Sequence, residues 1–188
     1  EFSMKVTALV GSPRKRGNTD VLIDKILEGA SQVGALTSKL YLYDLTLLPC
    51  ADCRKCYKTL ECAENDDMQK VYKELESGDV IVFGTPLYWN TMTAKMKLLV
   101  DRLRPYTLNN KLRGKKAVLV VPSDEGEEAC VDLIKLFASI IDTLGMQFVH
   151  ILCVKAHEKG EVKNQPQSLE KAYKIGESIG CLLYTSDA

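Results

Sequence analysis

The sequence predicts a doubly wound α/β fold in which five parallel strands form one sheet with helices on both faces. Short, apolar, β-branched runs alternate with longer segments whose apolar residues recur every three or four positions. Consecutive parallel strands need crossover connections, which are right-handed and place helices against the sheet. The 188 residues suit one domain of this kind, which we expect to cover residues 4–183.

Five apolar runs are the predicted strands, and most of them have the continuous apolar character of strands buried on both faces. They are residues 5–10, 39–43, 79–83, 117–121 and 148–154. Glycine or proline follows several of these runs, as expected where a strand gives way to a loop.

The helices are predicted from stripes of apolar residues. The four clearest stripes are Ile23/Ile26/Leu27/Ala30, Met68/Val71/Tyr72/Leu75, Met92/Met96/Leu99/Leu103 and Cys130/Ile134/Phe137/Ile141. A last helix is expected over residues 167–183. Gly29 and Gly34 are expected to end the first helix, and Asp66 with Gln69 has the spacing of a capping box at the start of the second.

Composition narrows the function classes. The chain has 25 Lys+Arg against 25 Asp+Glu, a net charge of zero and 46% hydrophobic residues, which indicates a folded globular domain. Neutral charge gives no reason to expect nucleic acid as a partner, and no apolar stretch approaches the ~20 residues that cross a bilayer. Residues 1–3 have the look of a cloning remnant, and residues 184–188 form a tail without a usable pattern.

The loop after the first strand has the features of a phosphate site. It contains Ser12, Arg14, Gly17, Asn18 and Thr19 and leads into a helix, so free N–H groups and the positive end of the helix dipole meet there. It is neither a Walker loop nor a Gly-x-Gly-x-x-Gly loop, which favours a single phosphate over a triphosphate or pyrophosphate. A simple helix cap after a basic turn is the alternative.

The loop after the third strand places two aromatic residues between glycine and proline on one side and asparagine on the other. Its residues Pro86, Leu87, Tyr88, Trp89 and Asn90 include the only tryptophan of the chain. Aromatic side chains in such a loop suit contact with a planar ligand. Taken alone, the loop is better explained by a lid that packs its aromatic residues on the neighbouring helix, or by a subunit interface.

In combination these two loops resemble the NADPH-dependent FMN reductases of the flavodoxin-like superfamily. The resemblance is carried by Gly-Ser-Pro-x-x-x-Gly-Asn-Thr, Pro-Leu-Tyr-Trp-Asn and Met-Lys-x-x-x-Asp-Arg, and it covers residues 5–102 best. It implies strand order 2-1-3-4-5 with FMN at the edge of the sheet. The first loop would hold the phosphate, the aromatic loop would border the isoalloxazine ring, and Ser123 at the end of the fourth strand would border its other side.

Four of the seven cysteines, Cys50, Cys53, Cys56 and Cys62, are crowded into 13 residues. Three thiolates separated by two residues each suit an iron–sulfur cluster better than zinc, which more often takes two separated pairs. The motif is similar to that of the iron–sulfur flavoproteins, which carry FMN and a [4Fe–4S] cluster. Zinc, or thiols without a metal, are the alternatives. We expect Cys130, Cys153 and Cys181 to be buried apolar residues, and we assign no role to His150 or His157.

The resemblance predicts an oxidoreductase without a catalytic side chain, because the cofactor carries the chemistry. NAD(P)H, another small-molecule electron donor or acceptor, or ferredoxin would exchange electrons with FMN, and the cluster would take them singly. The basic run of Arg14, Lys15 and Arg16 is one feature that would favour NADPH. We expect a homodimer or homotetramer, and the clustered cysteines favour the reducing cytoplasm.

Two alternatives differ in class. One is a cluster-free NAD(P)H-dependent reductase of quinones, azo dyes or nitro compounds, in which the cysteines are structural. The other is a non-catalytic electron carrier of the flavodoxin type, against which the neutral charge argues, since flavodoxins tend to be strongly acidic.

Overall fold

One five-stranded parallel sheet forms the centre of the protein, as predicted. The computed structural model describes residues 3–181. The strands are β1 (Lys5–Val10), β2 (Leu36–Tyr41), β3 (Val80–Gly84), β4 (Lys116–Ser123) and β5 (Gln147–Lys155). Their order in the sheet is β2-β1-β3-β4-β5, which is the predicted order.

Helices follow every strand. They are α1 (Asn18–Gln32), α2 (Cys56–Thr59), α3 (Met68–Ser77), α4 (Ala94–Asp101), α5 (Tyr106–Asn109), α6 (Val131–Thr143) and α7 (Pro166–Gly180). Three 3₁₀ turns lie at Leu42–Asp44, Glu128–Cys130 and Glu161–Asn164. The short helices α2 and α5 are absent from the sequence prediction, because one turn is too short to show an apolar period.

The core has two layers, one on each face of the sheet. In β1, Leu9 packs in the layer beneath α3, α4 and α6, whereas Ala8 and Val10 pack in the layer beneath α1 and α7. Leu9 lies beside Leu40 of β2 and Phe83 of β3. Burial of both faces explains why the strands are continuous apolar runs.

The first and last helices touch through glycine. A Cβ on Gly29 would overlap the carbonyl oxygen of Tyr173, and a Cβ on Gly176 would overlap that of Ile26. The prediction that Gly29 ends the first helix is therefore wrong: this glycine lies inside α1 because α7 packs against it. The chain leaves the helix at Gly34, whose φ of 92° favours glycine.

Other boundaries also differ from the predictions. Strand β2 lies at 36–41 instead of 39–43, because Leu42 begins a 3₁₀ turn. The expected capping box is wrong: Asp66 accepts the Met68 N–H, but the Gln69 amide donates to the Glu64 carbonyl instead of returning to Asp66. The last helix ends at Gly180, and residues 182–183 of its predicted span lie outside the described residues.

Of the remaining cysteines, Cys130 is buried and Cys153 is half-buried, and burial raises the pKa of both thiols. The expectation that Cys181 is buried is wrong. It is exposed, because it lies one residue beyond the end of α7. None of the helices in residues 3–181 has the length and apolar character needed to cross a bilayer.

Candidate functional site

The carboxyl ends of the strands surround a cavity of about 220 Å³. Eight of the eleven residues predicted to hold a cofactor line it, namely Ser12, Arg14, Asn18, Thr19, Pro86, Leu87, Tyr88 and Ser123. Gly17, Trp89 and Asn90 are not part of its lining. Pro122, Asp124, Ala156, His157 and Lys159 also line it and were not predicted. The loop after β5 thus contributes to the site, although its sequence shows no motif.

The first loop is a tight turn that leads into α1. Ser12 is buried, and its hydroxyl accepts a hydrogen bond from the Arg14 N–H at 3.2 Å. The Gly17 N–H donates to the Arg14 carbonyl, and a Cβ on Gly17 would lie 2.7 Å from that oxygen. Gly17 therefore shapes the turn, while the first N–H groups of α1 have no carbonyl partner within the helix.

Asp20 holds this turn in place, and the sequence analysis missed it. Its side chain is 1% exposed and accepts hydrogen bonds from the Arg16 N–H, Lys39 Nζ and the Tyr41 hydroxyl at 2.6–3.0 Å. Arg16 has a φ of 58°, a conformation that non-glycine residues rarely adopt. Burial alone would raise the pKa of Asp20, but these donors outweigh it and hold the pKa below the ordinary value.

Asn18 has a different environment from the one predicted. Its side-chain amide donates to the Glu158 carbonyl at 2.8 Å and accepts from the Val162 N–H at 3.2 Å. The side chain thus ties the start of α1 to the loop after β5. That Asn18 binds a phosphate stays a prediction. Because its side chain is engaged, its backbone N–H is the group that would bind.

The aromatic loop is a short hairpin. Tyr88 and Thr91 exchange two backbone hydrogen bonds of 2.8 and 3.0 Å, and Trp89 and Asn90 form the turn with φ of 50° and 59°. Positive φ at both turn positions is typical of a type I′ hairpin. The hairpin directs Tyr88 to the cavity and leaves Trp89 99% exposed, without a partner surface in the described residues.

Thr93 joins the two loops. Its hydroxyl donates to the Gly11 carbonyl at 2.6 Å and accepts the Met96 N–H at 3.3 Å, which caps α4. The Gly11 N–H donates to the Gly84 carbonyl at 2.7 Å. The predicted stripe began at Met92, two residues before the first residue of α4, and it gave Thr93 no role, although a threonine before a helix is a common N-cap.

The loops after β4 and β5 form another wall of the cavity, and Asp124 and His157 lie close together in it. The distance from His157 Nδ1 to Asp124 Oδ2 is 3.9 Å. His157, to which the sequence analysis assigned no role, lies beside Asp124 because the loop after β5 folds back over the end of β4. Ser123 is buried, and its carbonyl accepts the Ala156 N–H at 2.8 Å.

The four clustered cysteines line a second, smaller hollow of about 30 Å³. Cys56, at the start of α2, is buried, Cys62 is half-buried, and Cys50 and Cys53 are exposed. The chain between them turns sharply, with positive φ at Asp52, Arg54 and Leu60. Charged side chains of both signs also line the hollow, namely Arg54, Arg102, Arg104, Asp52 and Asp101.

A buried ion pair anchors this cysteine hollow. Arg102 donates to Asp66 from Nη1 at 2.7 Å and from Nη2 at 3.1 Å, and Nη1 also donates to the Leu48 carbonyl. Asp66 in turn accepts the Leu48 N–H at 2.7 Å. Burial would raise the pKa of Asp66, but Arg102 and the backbone donors lower it. The pair thereby fixes the chain just before Cys50.

No three His, Cys, Asp or Glu side chains within residues 3–181 converge on a point where one metal ion could bind. The arrangement thus does not match a mononuclear site. The donor set is compatible with a [4Fe–4S] cluster, in which each of four thiolates binds a different iron at a different corner.

Helix α4 connects the two sites. Its N-cap, Thr93, holds the loops of the larger cavity, and Asp101 and Arg102 at its other end line the cysteine hollow. Eight residues at 1.5 Å each make the helix about 12 Å long.

Comparisons with known proteins agree with this geometry. The chain is 31% identical to an iron–sulfur flavoprotein of Methanocaldococcus jannaschii over 94% of this chain and 95% of that protein. It is 26% identical to a putative NAD(P)H-dependent FMN-containing oxidoreductase of Bacillus subtilis over 92% and 96%. Several other curated relatives align over only 51% to 60% of their own length.

Among solved structures, the fold is similar to an NAD(P)H:quinone oxidoreductase from Methanothermobacter marburgensis. The TM-score is 0.71 at 19% identity, over 95% of this chain and 100% of that one. The sequence model of the NADPH-dependent FMN reductases matches residues 4–159. The chain therefore belongs to the NADPH-dependent FMN reductase family of oxidoreductases.

Proposed function

We propose that this protein is an FMN-dependent NAD(P)H oxidoreductase that passes electrons between a reduced donor, FMN and a [4Fe–4S] cluster. Family membership supports the flavin, and the name of the Methanocaldococcus jannaschii relative supports the cluster. The observation that carries the proposal is that Cys50, Cys53, Cys56 and Cys62 line one hollow at the far end of α4, whose N-cap Thr93 bonds the loop after β1.

The cavity provides the groups that FMN requires. The buried Ser12 hydroxyl, Arg14 and the N-terminus of α1 would bind the phosphate, since they offer hydrogen-bond donors and positive charge. Pro86, Leu87 and Tyr88 form an apolar wall that would lie along the ring. When bound, FMN accepts a hydride from a nicotinamide and returns the electrons one at a time.

The cysteine hollow would hold the cluster, which when bound accepts single electrons. Four thiolate ligands make such a cluster anionic. Arg54, Arg102 and Arg104 would offset part of this charge, since Asp52 and Asp101 line the hollow as well. The roughly 12 Å of α4 between the two sites keeps both groups within one rigid unit.

The electron donor is proposed to be NAD(P)H or ferredoxin. Of the basic run, Arg14 lines the cavity together with Lys159, whereas Lys15 is paired with Asp44 at 2.6 Å. Because Arg14 is assigned to the FMN phosphate, Lys159 is the cavity-lining side chain that would contact a nicotinamide phosphate. Trp89, fully exposed beside the cavity, supports a homodimer or homotetramer that covers this edge, and seven free cysteines support the cytoplasm.

Anaerobic purification tests the proposal. We expect flavin absorption bands, a broad iron–sulfur shoulder, and both iron and sulfide in the protein. Cys50→Ser should lose iron while keeping FMN, whereas Cys181→Ser, also exposed but outside the hollow, should keep both. A protein that is colourless and refuses added FMN would refute the flavin part, and a flavoprotein without iron and sulfide would refute the cluster part.

A cluster-free reductase of quinones, azo dyes or nitro compounds is the second candidate. It is favoured by the 26% identity, over 92% of this chain, to the Bacillus subtilis relative, whose name gives NAD(P)H and FMN without a cluster. Undiminished quinone turnover with NAD(P)H by a variant in which all four clustered cysteines are changed to serine would favour it. Failure to oxidise any nicotinamide would favour a non-catalytic flavodoxin-type carrier instead.

A further inference from the structure

Arg102 has one donor without a partner. Its side chain is 1% exposed, and its Nη1 and Nη2 are bound to Asp66 and Leu48. Its Nε is the one buried side-chain nitrogen or oxygen of residues 3–181 that lacks a hydrogen-bond partner. Buried polar groups are nearly always hydrogen-bonded, and an unpaired N–H of a charged group is especially unfavourable. The Arg102 Nε–H is therefore left to an acceptor in the hollow, where the sulfur of Cys62 lies beside the guanidinium.

The surroundings of Arg102 identify the kind of acceptor. Arg102 lines the hollow together with all four clustered cysteines. Burial alone would lower the pKa of its guanidinium, but Asp66 and the nearby Cys62 sulfur raise the pKa instead. The acceptors beside this donor are thus cysteine sulfurs, and a cluster bound by the four cysteines would present further sulfur atoms there.

We infer that Arg102 tunes the cluster: its Nε–H donates a hydrogen bond to a cluster sulfur, and its charge stabilises the reduced form. The inference rests on the proposed function. Reduction adds one electron and hence one negative charge, so a buried cation and a hydrogen bond to sulfur both favour the reduced state and raise the reduction potential. Arg102 is in this sense a positioning and tuning residue, since it binds no iron.

A neighbouring arginine provides a matched control. Arg104 lines the same hollow, but it is 39% exposed and its guanidinium is paired with Asp52. Solvent screens an exposed charge more strongly than a buried one. The substitutions Arg102→Lys and Arg104→Lys are chemically identical and keep the charge, yet only the first removes the buried Nε donor.

The experiment is a redox titration of the cluster, followed by its electron paramagnetic resonance signal, in anaerobically prepared protein of determined iron and sulfide content. We expect Arg102→Lys to lower the midpoint potential and Arg104→Lys to leave it unchanged. The double variant Asp66→Asn/Arg102→Gln removes both buried charges, so that no lone carboxylate is left to unfold the protein. For this variant we expect a tenfold lower equilibrium constant for reduction, which is about 59 mV for one electron.

Asp66→Asn alone separates tuning from a purely structural role. It weakens the ion pair but keeps the Nε donor, so we expect its potential to be no lower than that of the unchanged protein. If Asp66→Asn lowers the potential as far as Arg102→Lys does, or if the potential does not respond to Arg102 at all, the inference is refuted. Absence of iron and sulfide from the unchanged protein would refute the cluster proposal itself, which is a different result.

Discussion

Replacing Thr93 with valine tests whether one hydroxyl couples the two loops of the cavity. Valine keeps the shape of threonine but removes the donor to the Gly11 carbonyl and the acceptor of the Met96 N–H. The backbone N–H of residue 93 still donates to the Thr85 hydroxyl, so the hairpin itself keeps its anchor. The variant therefore removes one specific link between the first loop and α4.

The expected destabilisation follows from the two lost hydrogen bonds. A buried carbonyl left without its donor costs about 1–3 kcal/mol. Loss of the N-cap of α4 costs about 1 kcal/mol. Together they predict that the free energy of unfolding falls by about 3 kcal/mol, which in a protein of this size lowers Tm by about 6–12 °C. FMN affinity should also fall, about tenfold for each 1.4 kcal/mol of loop ordering that binding must then supply.

Thermal unfolding by circular dichroism and titration of the FMN-free protein with FMN measure the two effects. Thr107→Val is the control, because its hydroxyl bonds the Arg104 carbonyl at 2.8 Å on the exposed surface. We expect that variant to change the free energy of unfolding by less than about 0.5 kcal/mol. If Thr93→Val behaves like Thr107→Val in both measurements, the coupling described here is wrong.

Three further predictions concern the packing, the pH dependence and the exposed tryptophan. Gly176→Ala should destabilise the protein by more than about 2 kcal/mol in a urea titration, because the new methyl group would overlap the Ile26 carbonyl and force α1 and α7 apart. Gly114→Ala is the control: this glycine has open space around it, so the only cost is backbone strain at its positive φ. Equal effects would contradict the close helix contact. The pKa of Asp20 is lower in the folded protein than in the unfolded chain, so its contribution to stability is complete above about pH 4 and is lost as the pH falls through its folded pKa. Asp20→Asn should therefore make the urea midpoint less dependent on pH between about pH 5 and 3, and an unchanged slope would show that the carboxylate is not stabilised. Trp89→Ala should change the free energy of unfolding by less than about 0.5 kcal/mol, because the side chain is 99% exposed. The same variant should weaken self-association in analytical ultracentrifugation. If the protein sediments as an oligomer and the variant sediments identically, Trp89 does not lie in the interface.

Periodicity and loop chemistry were sufficient to predict the sheet, because strands such as β3 are apolar along their whole length and have no other stable arrangement. Local motifs likewise located Ser12, Tyr88 and the cysteines. The errors concern residues whose role depends on distant partners. A glycine is needed at position 29 because α7 packs against it, and the side chain of Asp66 is engaged by Arg102, 36 residues away. A single sequence contains no signal for such pairings, since each partner has an ordinary local context.

The cavity wall formed by the loop after β5 could not be predicted either, because it also depends on contacts between distant residues. His157 and Lys159 line the cavity because Asn18 binds the backbone of that loop, at Glu158 and Val162. Neither end of this contact has a recognisable motif. Asp20 was missed for a related reason: an acidic residue in the first turn of a helix is common on the basis of the dipole alone, and only its contacts with Lys39 and Tyr41 reveal that it shapes the loop.

The contact between Gly29 and Gly176 has a consequence for biosynthesis. The loop after β1 is synthesised well before α7, the helix that braces α1, because α7 begins only at Pro166. A nascent chain that lacks α7 would expose the apolar face of α1, including Ile26, and would leave the turn without support. Flavin uptake is therefore expected only once α7 has been synthesised, and translation products that stop before α7 should accumulate as insoluble, uncoloured material.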